Sequence, residues 1–194
     1  MEPTERPTAQ LDSQVPRGMT RWAAVALSTG LGVGFIPGAP GTYGSALAIL
    51  IFVLFSPLPG GLLLVSGLAL GAVGVWSADV AEAVFQRSDD GRIVIDEIVG
   101  QLLALAPLLV LSAPSALPES AGSAAVPEIV WLVTGFVAFR CLDITKPGPV
   151  GWAERQFSGG LGVMMDDVVA GGLAAVILAT AMLVVPSLLA GAAG

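Results

Sequence analysis

The sequence predicts an all-α, polytopic transmembrane helix bundle, and three observations predict it. Of 194 residues, 55% are hydrophobic and only 12% charged, and the mean hydropathy is +0.85, a balance that water-soluble domains do not show. The stretches 22–78, 98–118 and 168–194 contain no Asp, Glu, Lys or Arg, and about 20 mostly apolar residues suffice for a helix to cross a bilayer. Glycines at Gly32 and Gly34, and at Gly67, Gly71 and Gly74, supply the small-residue spacings at which membrane helices pack closely.

Taken in order, residues 1–21 carry Pro, Gln and charge without periodicity and read as a disordered cytoplasmic tail, which leaves 22–194 as one membrane-embedded domain. The apolar stretch 22–36 stops at Pro37-Gly38-Ala39-Pro40-Gly41 and is short for a crossing, so it suits a re-entrant or interfacial helix. Spans then fit at 43–56, 61–85, 95–111, 128–143 and 167–189, about five in all. The segments at 43 and 128 are short and call for local thinning of the bilayer or burial in the bundle.

Charge sets the orientation and removes several function classes. With Arg6, Arg17 and Arg21 inside, the loops from Arg87 to Arg92 and from Arg140 to Arg155 also fall on the cytoplasmic side, and 56–60 and 112–127 fall outside. A net charge of −7 with eight Lys and Arg offers no footprint for nucleic acid. One cysteine and no histidine exclude the usual zinc and disulfide redox sites, so any metal is held by oxygen.

Polar residues gather at the cytoplasmic boundary in three clusters. In "SDDGRIVIDEIVG", Asp96 and Glu97 open the third span, and adjacent carboxylates on a helix point about 100° apart, toward different partners. In "FRCLDITKPGP", Arg140 and Asp143 share a helical face, Lys146 follows, and Pro147 ends the helix. In "GVMMDDVVAGG", Asp166 and Asp167 stand at the mouth of the last span. Helix capping, snorkelling of Arg140 and Lys146, and local ion pairing are the structural alternatives. Converging carboxylates repel unless a divalent cation neutralises them, and an oxygen-only ligand set selects Mg²⁺ or a similar hard ion. A fourth stretch, "PGAPGTYGS", places Gly41, Thr42 and Ser45 at a helix start, where N–H groups and hydroxyls form an anion site, or else a plain turn. Together these are the components of phosphoryl chemistry.

"PGTYGS", "IVIDEIVG", "FRCLDITKPGPV" and "GGLGVMMDDVVAG" occur in this order between residues 30 and 179, and in them the chain resembles the phosphatidylglycerophosphatase A family. The resemblance implies a Mg²⁺-dependent phosphatase of the bacterial cytoplasmic membrane, converting the phospholipid phosphatidylglycerophosphate to phosphatidylglycerol at the cytoplasmic face. It carries the acidic and basic site residues over to Asp96, Glu97, Asp143, Lys146, Asp166 and Asp167, with Arg140, Thr42 and Asp90 matching as well. On that reading Asp96, Glu97, Asp143, Asp166 and Asp167 bind metal, while Gly41, Thr42, Ser45, Arg140 and Lys146 hold the phosphate. Association with further copies of the chain stays open.

Two other classes compete. A CDP-alcohol phosphotransferase is also a carboxylate-rich membrane enzyme, but Asp89-Asp90-Gly91-Arg92 lacks the Ala-Arg that its signature requires. A divalent-cation transporter would place its carboxylates near the bilayer midplane, whereas these lie at one face.

Overall fold

A computed structural model describes residues 18–111 and 126–192, and every regular element among them is helical. Helix α1 runs Met19–Ser28, and a 3-10 turn at Val33–Phe35 leads to α2, Pro40–Phe55. Next come α3 (Gly60–Phe85), α4 (Ile95–Ala104), α5 (Ala106–Leu111), α6 (Glu128–Thr145), α7 (Pro149–Gln156) and α8 (Gly160–Ala192). Two helices, Gly60–Phe85 and Gly160–Leu189, are long and apolar enough to cross a membrane, and Pro40–Phe55 is apolar but shorter. Two of the expected lengths therefore appear intact, where the sequence suggests about five.

Several bounds differ from the sequence reading, each for a physical reason. The expected tail falls outside the described residues up to 17, but α1 already begins at Met19 rather than at Trp22. With ten residues, α1 is about 15 Å long, too short to cross. The expected span 95–111 is interrupted at Leu105, because Pro107 offers no N–H to continue the ladder. Residues 149–156, expected as loop, form α7, with Pro149 in its first turn. The last helix starts at Gly160, not at Asp167, so the two aspartates sit about two turns inside it. Gly160 is small because α3 crosses there: a Cβ would stand 2.0 Å from the Val75 carbonyl oxygen.

Helix α4 is the centre of the bundle, packed against α2, α3, α6 and α8. Its closest approach is to α8, where a Cβ on Gly171 would meet the Gly100 carbonyl oxygen at 2.3 Å. Only residues without side chains permit backbones to come that near. Ala104, Phe139, Ala170 and Ala174 fill the layer between α4, α6 and α8, and Phe52, Leu105, Trp131 and Leu178 fill the end remote from the aspartates. The outer faces carry exposed large apolar side chains, among them Leu54 and Phe55 on α2, Leu68 on α3, Val137 on α6 and Val176 on α8.

This packing brings five helix ends together. The start of α2 meets α4 and α6, because a Cβ on Gly41 would touch Glu97 and Arg140. The end of α3 meets the start of α8, where the Gly160 N–H donates to Asp79 Oδ1 at 2.6 Å. Glu97 and Arg140 thus meet at the start of α2, and Asp79 at the start of α8.

Candidate active site

The first turn of α4 presents Asp96 and Glu97, and α8 presents Asp167 across the glycine crossing. One carboxylate oxygen from each of the three comes within 4.8 Å of the others. Asp96 and Asp167 are buried, Glu97 partly so. Asp96 Oδ1 and Glu97 Oε2 are enclosed without a hydrogen-bond partner. Three converging carboxylates with unmet oxygen valence, and no nitrogen or sulfur donor beside them, fit a hard divalent cation such as Mg²⁺.

The other two aspartates are each tied to a cation. Asp143 Oδ2 lies 2.5 Å from Arg140 Nη1, and Asp166 Oδ2 accepts from Lys146 Nζ at 2.8 Å. The Arg140–Asp143 contact is close but off hydrogen-bonding geometry, so Nε and Nη1 of Arg140 keep their donor capacity while buried. A guanidinium held in place with donors to spare is suited to receive phosphate oxygens. Asp143 also lies near enough to Glu97 and Asp167 to act on their charge.

Lys146 occupies the residue after α6, in the left-handed region at φ 44°, and Pro147 and α7 follow. Its ammonium is held a second time, by Glu154 Oε1 at 2.7 Å. Burial pulls the Lys146 pKa down, but the hydrogen bonds it donates to Asp166 and Glu154 outweigh that and the ammonium is held above its usual range. Glu154 was missed in the sequence because its partner depends on α7 folding back over the end of α6. Asp79 was missed too, since nothing in its sequence neighbourhood announces that it caps a helix 81 positions away.

At the start of α2, a Cβ on Gly41 would stand 2.1 Å from Glu97 Oε1 and 3.2 Å from Arg140 Nη1, so any larger residue would push those two side-chain ends aside. The helix N-terminus with its free N–H groups is thereby laid against the acidic and basic groups. Thr42 is partly buried in the same turn, whereas the Ser45 hydroxyl is buried and donates to the Gly41 carbonyl at 2.9 Å. Asp90 stands apart from the trio: its carboxylate takes both Nε and Nη2 of Arg92, at 2.7 and 2.8 Å, and closes the turn between α3 and α4. Those bonds hold the Asp90 carboxyl below the usual carboxylate range, against the opposing effect of burial.

A family model described as Phosphatidylglycerophosphatase A matches residues 26–182. The chain belongs to that family. It is 36% identical over 152 residues to Phosphatidylglycerophosphatase A of Escherichia coli (strain K12), covering 78% of this chain and 79% of the relative. It is 32% identical to the protein of the same name from Haemophilus influenzae, covering 78% and 84%. A Bacteroides thetaiotaomicron protein, provisionally named a phosphatidylinositol-3-phosphatase, is 38% identical over 83% of this chain and 94% of the relative. No solved structure matches the chain significantly. The family's matched region contains the whole trio, Arg140, Lys146 and the Gly41 turn.

Proposed function

We propose that this member of the family hydrolyses the terminal phosphomonoester of phosphatidylglycerophosphate, yielding phosphatidylglycerol and inorganic phosphate, with a Mg²⁺ site on Asp96, Glu97 and Asp167. The observation that carries the reading is the buried trio with its unpartnered oxygens beside an arginine that has donors to spare. The names of the Escherichia coli and Haemophilus influenzae relatives point to the substrate.

Asp96, Glu97 and Asp167 would hold the divalent ion, which when bound would supply charge neutralisation for the phosphoryl group and lower the pKa of water. The chain's own residues do the rest. Arg140 and the start of α2 at Gly41 and Thr42 orient the phosphate oxygens, and Lys146, with two of its three donors engaged by Glu154 and Asp166, keeps one to offer. Water attacks phosphorus, the bond from phosphorus to the glycerol oxygen breaks, and the leaving oxygen takes up a proton from interfacial water. Asp143, held by Arg140 and close to Asp167, is placed to accept the proton that the attacking water gives up.

The membrane setting belongs to the same proposal. Helices α2, α3, α4 with α5, α6 and α8 cross the bilayer, their exposed apolar side chains facing lipid tails, and the end bearing the carboxylates faces the cytoplasm. Acyl chains then stay in the bilayer while the headgroup enters the site from the interface. The test of substrate is to give the purified, detergent-solubilised protein phosphatidylglycerophosphate and to measure inorganic phosphate together with phosphatidylglycerol. Stoichiometric formation of both is expected, and no phosphate release would refute the assignment.

A further inference from the structure

We propose that Gln101 is a positioning residue of the candidate active site, its amide bridging Glu97 and Arg140 from beneath and so fixing one for the cation and the other for the phosphate. The inference rests on the phosphatase reading above. Gln101 lies on α4 and is completely buried, yet among the described residues neither its Oε1 nor its Nε2 has a hydrogen-bond partner. A buried amide with both ends unmet is costly, and proteins retain such a group where it serves a site.

The helices decide which partners the amide can reach. Four residues after Glu97, Gln101 shares its face of α4, and helical side chains lean toward the helix start, here the carboxylate end. Beyond Gln101 that face continues as Ala104, Leu105 and Leu108, all apolar and buried, so it offers no polar side chain deeper in the bundle. Helix α6 runs antiparallel alongside: a Cβ on Gly100 would stand 2.6 Å from Phe139 Cε2, and one on Gly135 would stand 2.7 Å from Leu105 Cδ2. Gln101 is thereby level with the residues just before Arg140. Glu97 and Arg140 in turn meet at Gly41, where one Cβ would touch both.

The unmet groups also match in kind. Glu97 Oε2 is an enclosed acceptor and Arg140 Nε an enclosed donor, each without a partner among the described residues. An amide offers a donor and an acceptor. Gln101 Nε2–H serves Glu97 Oε2, and Gln101 Oε1 accepts from Arg140 Nε, after a side-chain rotation or through one bridging water. The buried Ser45 hydroxyl on α2 already donates to the Gly41 carbonyl, which leaves Arg140 as the donor for Gln101 Oε1. Bound in this way, Glu97 keeps Oε1 for the cation, and Arg140 keeps its Nη groups for phosphate oxygens. The neutral amide ties the two opposite charges together without adding one of its own.

The experiment measures binding, not turnover, on the purified, detergent-solubilised chain: Mn²⁺ alone by electron paramagnetic resonance, and inorganic phosphate at saturating Mg²⁺ by calorimetry. Gln101→Met keeps the length of the side chain and removes both polar atoms. Gln101→Leu makes the same deletion with less bulk and serves if Met overfills the seam, an intact fold being read from a cooperative thermal transition. Leu178→Ala, a core truncation at the end remote from the aspartates, reports what general loosening does. The Gln101 variant should bind Mn²⁺ about tenfold to a hundredfold more weakly, the range for removing a group that orients a metal ligand. It should bind phosphate about tenfold more weakly or worse. Leu178→Ala should bind both as the wild type does. Wild-type affinities in the Gln101 variant, or equal losses in Leu178→Ala, overturn the inference and leave the phosphatase reading standing. Loss of Mn²⁺ affinity with phosphate affinity retained overturns the bridge in favour of a direct bond from Gln101 Oε1 to the cation. A wild type that binds no Mn²⁺ removes the proposed cation site and this inference together.

Discussion

Side by side in sequence, Asp166 and Asp167 diverge around α8, so that one joins the trio and the other anchors Lys146. Their substitution by Asn should accordingly differ. Asp167→Asn removes a charge from the proposed cation site and should lower phosphate release by about a thousandfold, with partial recovery at high Mg²⁺. Asp166→Asn keeps an acceptor for Lys146, should cost only about tenfold to a hundredfold, and should not recover with Mg²⁺. Equal losses and equal recovery in a Mg²⁺ titration would contradict this division. A milder test is Thr42→Val, which deletes one hydroxyl from the start of α2 and should reduce turnover about tenfold or more while the protein stays folded. Asp90 supplies the pH test. Its folded pKa is depressed, so the turn it closes with Arg92 is stabilised above the unfolded value near ~4 and loses that stabilisation as pH falls through the lower folded value. Asp90→Asn should abolish this acid-dependent step in the stability of the solubilised protein, and an unchanged acid transition would count against it. The identities of the acidic and basic residues were legible because carboxylates beside apolar runs are costly and stand out. Their pairing was not, since it depends on which face of each helix turns inward.

Among the elements, the apolar runs marked α2, α3, α6 and α8 to within a few residues at most ends, because burial and lipid exposure both demand unbroken apolarity. The start of α8 and the existence of α7 escaped, because glycine and proline signal loops in sequence, whereas here glycine serves a helix crossing and proline a helix first turn. That argument predicts a contrast between neighbouring glycines. Gly171→Ala drives a Cβ into the Gly100 carbonyl, where backbone cannot give way, and should cost roughly 1–3 kcal/mol or more in stability. Gly172 has open space around it, so Gly172→Ala should be neutral or stabilise by up to about 1 kcal/mol through helix propensity. Thermal unfolding of the two variants in detergent checks this, and equal behaviour would refute the close crossing of α4 and α8.

For the molecule as a whole, the fold gathers its chemistry at one end and leaves apolar side chains on its flanks, the arrangement a headgroup hydrolase at a membrane surface requires. Single cysteines at Ser88 or Gly148 in a Cys141→Ser background should be shielded from a membrane-impermeant thiol reagent in intact cells, and one at Leu58, in the turn between α2 and α3, should label. The reverse pattern would invert the orientation. The central claim, that Asp96, Glu97 and Asp167 hold a divalent ion that phosphomonoester hydrolysis needs, is tested most directly by phosphate release from phosphatidylglycerophosphate over a Mg²⁺ titration, with and without chelator, for wild type beside Asp167→Asn. The account predicts that chelation silences the wild type, that Mg²⁺ restores it, and that Asp167→Asn requires far more Mg²⁺ to release any phosphate. Wild-type release that survives chelation, with Asp167→Asn equally active at every Mg²⁺ concentration, would contradict it.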